Sequence, residues 1–380
     1  MDASLLVIVV VLTALAFDFT NGFHDTANAM ATSIATGALR PRTAVALSAV
    51  LNLVGAFLSV EVAKTISGGI VDEALIDPAI IFGGLIGAIM WNLVTWYFGL
   101  PSSSSHALFG GLIGATWVAS GMDAVHFTKV AEKVLVPAVA APLVAGIIAG
   151  LATFLTYRLT RNTSSPEIVG NGFKIGQVIS ASLVSLAHGT NDAQKTMGII
   201  TLTLITSGSL PAGSGPPVWV IVSAGVAIAL GTYLGGGRIT QTLGKGLTTI
   251  ESPQGFAAQT SAATVILASS HVGFALSTTH VASGGVMGSG LGRKGAKIRW
   301  GVAGRMAAGW LLTLPAAGVV GALAGEIASF GTVGVIIVAL AGIGVSIGLY
   351  LAARRKPIHP EHVVDEIAGE TGPHAARAAA

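Results

Sequence analysis

The sequence predicts an all-α polytopic membrane protein of two homologous repeats with broken helices. Three observations carry that expectation. Only 10% of the 380 residues are charged and 52% are hydrophobic, whereas a soluble domain carries about 25% charged residues. Apolar runs of the length a helix needs to cross a bilayer, roughly 20 residues, recur through most of the chain, and mean hydropathy is +0.77. Finally, a polar stretch running from Asn21 to Met30 returns, altered, from His188 to Met197.

The first element is the apolar run of residues 4–20, which leads into that polar stretch. It has no basic lead-in and no small-residue cleavage site, so it reads as a first span and not as a removed signal peptide. The motif places Asp25 where a bare charge costs about 3 kcal/mol on insertion scales unless it is paired or wetted. Asp192 repeats this in the second half, so the pair reads as a site. The competing explanation is helix–helix packing, which uses glycines and alanines but does not call for a carboxylate in both copies.

A second span covers roughly 43–60 and ends near Glu61 and Lys64, whose spacing puts both charges on one helical face. An acidic loop around Asp72, Glu73 and Asp77 precedes a third span, 79–99. Pro101 and Ser102 to His106 then interrupt the apolar run and open a helix to about 119. A span over 134–157 closes the first half. The first repeat is thus 1–160, followed by a polar linker at 161–174 and a second repeat at 175–352. Within the second repeat, spans are expected at 175–206 and 218–234. Apolar segments follow at 257–290, interrupted by Ser269–His271 and Ser277–His280, and two last spans lie at 301–325 and 331–352. A polar tail, 353–380, holds His359, His362 and His374 in ordinary tail composition.

Composition excludes several classes. The chain has no cysteine, so disulfides, thiolate metal sites and cysteine nucleophiles are absent. The net charge of +3 comes from scattered basic residues, which is no nucleic-acid surface. Ser, His and Asp occur together, but no Gly-x-Ser-x-Gly elbow supports an enzyme. The polar residues form two clusters and not a continuous pore lining, against a channel.

The duplication has further anchors. Ser104-Ser105-His106 followed by Gly110-Gly111 matches Thr278-Thr279-His280 followed by Gly284-Gly285 at identical spacing, and Glu61–Thr65 aligns loosely with Arg238–Thr242. Secondary transporters are commonly built from two such halves, with the site between them where hydrophobic segments are interrupted. The hydroxyl clusters stand at helix N-termini, where free N–H groups, hydroxyl donors and the positive dipole end favour an anion; plain N-capping is the alternative. The Asp motifs offer Asp25 with Asn28 and Asp192 with Lys195, each pair three apart on a shared face. Their oxygens, with carbonyls released by the glycine breaks, suit a small hard cation such as Na⁺, a proton relay, or the hydroxyl of a protonated phosphate.

These residues resemble the inorganic phosphate transporter family. Phe23 to Ala29 and Gly189 to Lys195 are similar to its duplicated signatures, and the Pro-Ser-Ser-Ser-Ser-His and Ser-Thr-Thr-His segments to its two hairpin motifs, over about 12–350. The resemblance implies an all-α fold of two inverted homologous repeats with broken helices and two re-entrant helical hairpins, in a compact prokaryotic carrier of the cell's inner membrane that imports phosphate by symport with H⁺ or Na⁺. It also implies uptake, in many bacterial members, as a neutral complex of phosphate with a divalent metal. Ser104, Ser105, Thr278, Thr279, Gln194 and Asn191 are the implied substrate-binding residues. Asp25, Asn28, Asp192 and His24 are the implied cation- or proton-coupling residues. No cofactor beyond the co-transported ion, no resident metal and no nucleic-acid partner is expected, and a homodimer in the bilayer is compatible. The sequence departs from the usual first signature at His24. An imidazole titrates near neutrality, which inclines the reading to protons. Sulfate carriers share the fold, so a sulfate permease is the alternative.

Overall fold

The computed structural model describes residues 3–161, 166–235 and 237–355. Among them the ordered elements are helical, and extended pairing is confined to two isolated bridges, Val71 with Val125 and Thr248 with Ile298. The first half contains α1 (Ala3–Ala35), α2 (Pro41–Gly55), α3 (Glu61–Gly69), α4 (Pro78–Tyr97) and α5 (Ser104–Ser120). It ends with α6 (Phe127–Val130), which passes through one π turn into α7 (Val136–Thr160). The second half contains α8 (Pro166–Thr206), α9 (Val218–Leu234), α10 (Gly237–Gln241), α11 (Ser252–His271) and α12 (Thr278–Leu291). Two long helices, α13 (Trp300–Ser329) and α14 (Thr332–Arg354), close it.

Local chemistry sets many of these boundaries. Asp77 caps α4 by accepting from the N–H groups of Ala79 (2.8 Å) and Ile80 (3.0 Å), with Pro78 at the first helical position. Glu251 and Gln254 form a reciprocal capping box at the start of α11. Five helices among the described residues are long and apolar enough to cross a membrane, at 4–35, 78–97, 127–160, 300–329 and 332–354. Their outward faces are apolar: Leu159 is 80% exposed and Leu311 79%. The buried set, by contrast, includes many Ser, Thr, Asn, Asp and His side chains. Apolar outside and polar inside is the arrangement a bilayer selects.

The helices interleave across the midpoint of the chain. α1 packs on α8 and α9, and α8 in turn on α2 and α3. α4 and α5 pack together as a hairpin against α13; α11 and α12 do the same, with α12 against α7. Glycines permit the closest approaches. Gly284 and Gly288 of α12, and Gly292 at its C-cap, lie against Pro142, Gly146 and Gly150 of α7, so close that a Cβ at Gly288 would collide with the Gly146 carbonyl. Gly110 and Gly114 of α5 meet Leu314 and Gly318 of α13 in the same manner. Such small-residue stripes let helices associate where lipid offers no hydrophobic drive.

Two expectations are corrected here. The Asp motifs do not break their helices: α1 and α8 run unbroken through Gly22 and Gly189. Those glycines serve packing, since a Cβ on Gly22 would strike the Ile228 carbonyl of α9 and one on Gly189 the Asn52 carbonyl of α2. A helical glycine costs only about 1 kcal/mol relative to Ala, which a close helix contact readily offsets. The expected linker is likewise helical from Pro166 onward, since a proline suits a helix's first turn. Linker residues 162–165 lie outside the described residues, as does the tail from 356, including His359, His362 and His374.

Candidate functional site

Helical periodicity decides which side chains of the two Asp motifs meet. On α8, residues 188, 192 and 195 are four and then three apart, so they share one face. On α1, Asp25 and Asn28 share a face for the same reason. Because α1 packs on α8, these faces bring Asp25 and Asp192, both fully buried, to one point. The His188 imidazole stands between them, with Nε2 2.9 Å from Asp192 and 4.0 Å from Asp25. Asp25, His188 and Asp192 present ligand atoms all within 4.8 Å of one another, a spacing that a single cation can bridge.

The N-termini of α5 and α12 complete the cluster. The capping work falls to the residue before each predicted pair: Ser103 accepts from the His106 N–H (3.1 Å) and Ser277 from the His280 N–H (3.3 Å). The next two side chains are thereby free to act elsewhere. Ser104 donates to Asp25 Oδ2 at 2.9 Å, and Thr279 to Asp25 Oδ1 at 3.3 Å. Thr278 reaches both carboxylates, 3.1 Å from Asp192 and 3.5 Å from Asp25, although one hydroxyl donates to only one acceptor at a time. Asn28 donates to Thr279 at 2.9 Å. Ser105 donates to the Leu276 carbonyl at 3.1 Å and accepts from Lys195 at 2.6 Å. His24 lies 2.7 Å from Asp25 through Nδ1, with Nε2 near the hydroxyls of Thr95 (3.3 Å) and Ser102 (3.4 Å).

Eight of the ten residues singled out in the sequence therefore converge: Asp25, Asn28, Asp192, His24, Ser104, Ser105, Thr278 and Thr279. Asn191 and Gln194 do not. Asn191 donates to Ser270 (2.9 Å) at the end of α11. Gln194 accepts from the N–H groups of Val62 (2.8 Å) and Ala63 (3.3 Å), satisfying the first turn of α3. Each is displaced from Asp192 by one or two residues, hence by about 100° or 200° around the helix.

The fold brings in four residues to which the sequence assigned no role: His188, Lys195, Asp18 and Asn21. His188 was legible as the residue four before Asp192. The fully buried Lys195 extends its ammonium to Asp192, Ser105 and the Leu276 carbonyl. Asp18 and Asn21, further back on α1, are also fully buried. Thr196 of α8 lies beside Asp18, but no hydrogen bond of good geometry joins them. A different role falls to His106 and His280, whose rings meet edge to face at 4.8 Å. They line an apolar cavity of about 980 Å³ between α7, α12 and α13, whose walls include neither Asp25 nor Asp192.

The cluster is thus a buried point where two carboxylates, two imidazoles, an ammonium and two helix N-termini meet. It offers both donors for an oxyanion and oxygens for a cation. A profile of the phosphate transporter family matches residues 21–321. A probable low-affinity inorganic phosphate transporter of Mycobacterium bovis is 61% identical over 318 residues, 83% of this chain and 76% of the relative. Proteins of the same description in Mycobacterium leprae (53% over 361 residues, 94% of this chain and 87% of the relative) and Bacillus subtilis (41% over 322 residues, 84% and 96%) also align. Among solved structures, one described as the sodium-dependent phosphate transporter superposes with a TM-score of 0.71 at 24% identity, covering 86% of this chain and 99% of its own.

Proposed function

We propose, from the premise that this chain belongs to the phosphate transporter family, that it imports inorganic phosphate as a low-affinity, proton-coupled secondary carrier of the cell's inner membrane. Low-affinity phosphate transport is what its bacterial relatives are named for, and the multi-pass helical architecture suits it. One observation carries the reading: both Asp motifs and both hydroxyl-bearing helix N-termini meet at a single buried point, through the Ser104, Thr278 and Thr279 contacts to Asp25 and the Thr278 contact to Asp192.

The proposed arrangement is two inverted repeats, 1–160 and 175–352, with α4–α5 and α11–α12 as re-entrant hairpins. The interleaving of the halves supports it, since α5 packs on α13 of the second half and α12 on α7 of the first. The donors at the tips of α5 and α12 bind phosphate oxygens. Asp25, Asn28, Asp192 and His24 carry the proton, or hold a divalent metal arriving as a neutral complex with phosphate. Carboxylate and phosphate repel each other unless a proton or cation lies between them, and this repulsion couples the two fluxes. His24, 2.7 Å from Asp25, supports the proton as the coupled ion, because an imidazole in hydrogen-bond contact with a carboxylate can exchange a proton with it. The test is uptake of radiolabelled phosphate into proteoliposomes with pH and Na⁺ gradients imposed separately. Uptake driven by an inward proton gradient is expected; strict dependence on Na⁺, with no response to pH, would overturn the proton assignment.

A further inference from the structure

Resting on the reading of this cluster as a site for an anion and its coupled cation, we propose that the Lys195 ammonium is a tethered cation. It permanently fills one of two equivalent cation positions, leaving a single exchangeable position beside Asp25 and Asn28. The equivalence lies in the motif register. Asn28 follows Asp25 by three residues and Lys195 follows Asp192 by three. Each reaches a hydroxyl at the N-terminus of a helix in the other half: Asn28 the Thr279 hydroxyl at 2.9 Å, Lys195 the Ser105 hydroxyl at 2.6 Å.

The surroundings of the ammonium are those of a hard cation. Its three N–H donors meet a carboxylate oxygen of Asp192, the hydroxyl of Ser105 and, at 2.9 Å, the carbonyl of Leu276. Carboxylate, hydroxyl and backbone carbonyl oxygens are the usual ligands of small hard cations, and carbonyls beside helix ends hold Na⁺ in other transporter folds. All three donors are used, so this fully buried side chain is satisfied without any ion. Asp192 is neutralised by a residue that cannot leave, and a second cation at that position would face an ammonium at contact distance.

The Asp25 side differs. There the third residue on is an uncharged amide, and its Oδ1 has no hydrogen-bond partner. The Asp25 carboxylate and the Thr279 hydroxyl stand close by. This half presents an oxygen set with no ammonium within it, whereas on the other side Lys195 stands among the corresponding oxygens.

The experiment uses the full-length chain and two variants, Lys195→Asn and Lys195→Met. Asn restores the residue of the first motif and supplies an amide oxygen, whereas Met fills the volume with neither charge nor oxygen. Unfolding temperature is measured against NaCl, with choline chloride as the ionic-strength control and no phosphate present; phosphate uptake is measured over the same series. The Asn variant is expected to show a larger Na⁺-dependent rise in unfolding temperature than the parent, because it has a second position to fill, and to recover uptake as Na⁺ is added. The Met variant should lose uptake about tenfold or more, since it leaves Asp192 buried with no ammonium beside it, with no recovery in Na⁺. An Asn variant whose stability responds to Na⁺ no more than the parent's, or a Met variant transporting at parental rate, would overturn the proposal. Should the Asn variant not fold, equilibrium binding of radioactive sodium to the parent decides: at most one ion per chain is expected, and two would overturn it. Phosphate uptake by the parent reports separately on the functional reading. A parent that carries no phosphate sinks that reading, whereas the Na⁺ response of the Asn variant stands or falls on the site itself.

Discussion

Replacing Asp25 by Asn keeps the side-chain volume and removes one charge, making it a clean test of the site. In the parent, Oδ1 faces His24 Nδ1 (2.7 Å) and the Thr279 hydroxyl (3.3 Å), while Oδ2 accepts from Ser104 (2.9 Å) and lies 3.5 Å from Thr278. Asn retains one acceptor and turns the other oxygen into a donor, so whichever way the amide settles, two of these four contacts lose their carboxylate acceptor. Hydrogen bonds to a charged partner contribute about 1.5–3 kcal/mol each, so two represent roughly 3–6 kcal/mol. At about 1.4 kcal/mol per tenfold, that predicts a loss in coupled uptake of roughly 10²- to 10⁴-fold. Folding should survive, because the hydroxyls can rotate and the desolvation of a buried charge is relieved. The assay is gradient-driven uptake of radiolabelled phosphate into proteoliposomes, with size-exclusion profile and thermal unfolding as controls for the fold. A folded variant retaining uptake within about threefold of the parent, under 1 kcal/mol, would refute the role given to Asp25.

Other outcomes follow from the same geometry. The double variant Ser104→Ala, Ser105→Ala should lower apparent phosphate affinity at least about tenfold, since it removes two donors beside a charged ligand; an unchanged affinity in uptake titrations would count against the hydroxyls as ligands. Gln194→Ala should instead lower the unfolding temperature and leave phosphate KM nearly untouched, because it strips the acceptor from two buried N–H groups of α3, at about 1–3 kcal/mol each. Gly288→Val should destabilise by roughly 1–3 kcal/mol or more, since its Cβ meets the backbone of Gly146; thermal unfolding measures it. In competition assays phosphate and arsenate should displace radiolabelled phosphate while sulfate does so poorly, because protonated phosphate can donate to a carboxylate and sulfate cannot. Such missing hydrogen bonds discriminate by orders of magnitude.

Much of this protein is determined by sequence alone, for reasons that act locally along the chain. Apolar runs longer than a bilayer is thick must become helices, because no other single segment satisfies its own backbone there. A Ser or Asp ahead of a helix, or a Pro in its first turn, sets the boundary, as Asp77, Ser103 and Ser277 do. The repeated Asp motifs and the two hydroxyl pairs likewise identified most of the candidate site before any packing was known. Tertiary structure decided the rest, because a side chain's partner across a helix interface depends on how two helices are rotated against each other. Asn191 and Gln194 stand beside Asp192 in sequence but face α11 and α3. Lys195 reaches across to Ser105, ninety residues away in the chain. The glycines of the Asp motifs looked like helix breaks and proved to be close contacts, since a missing Cβ serves either purpose and only a neighbouring backbone, such as that of Asn52 or Ile228, reveals which one applies.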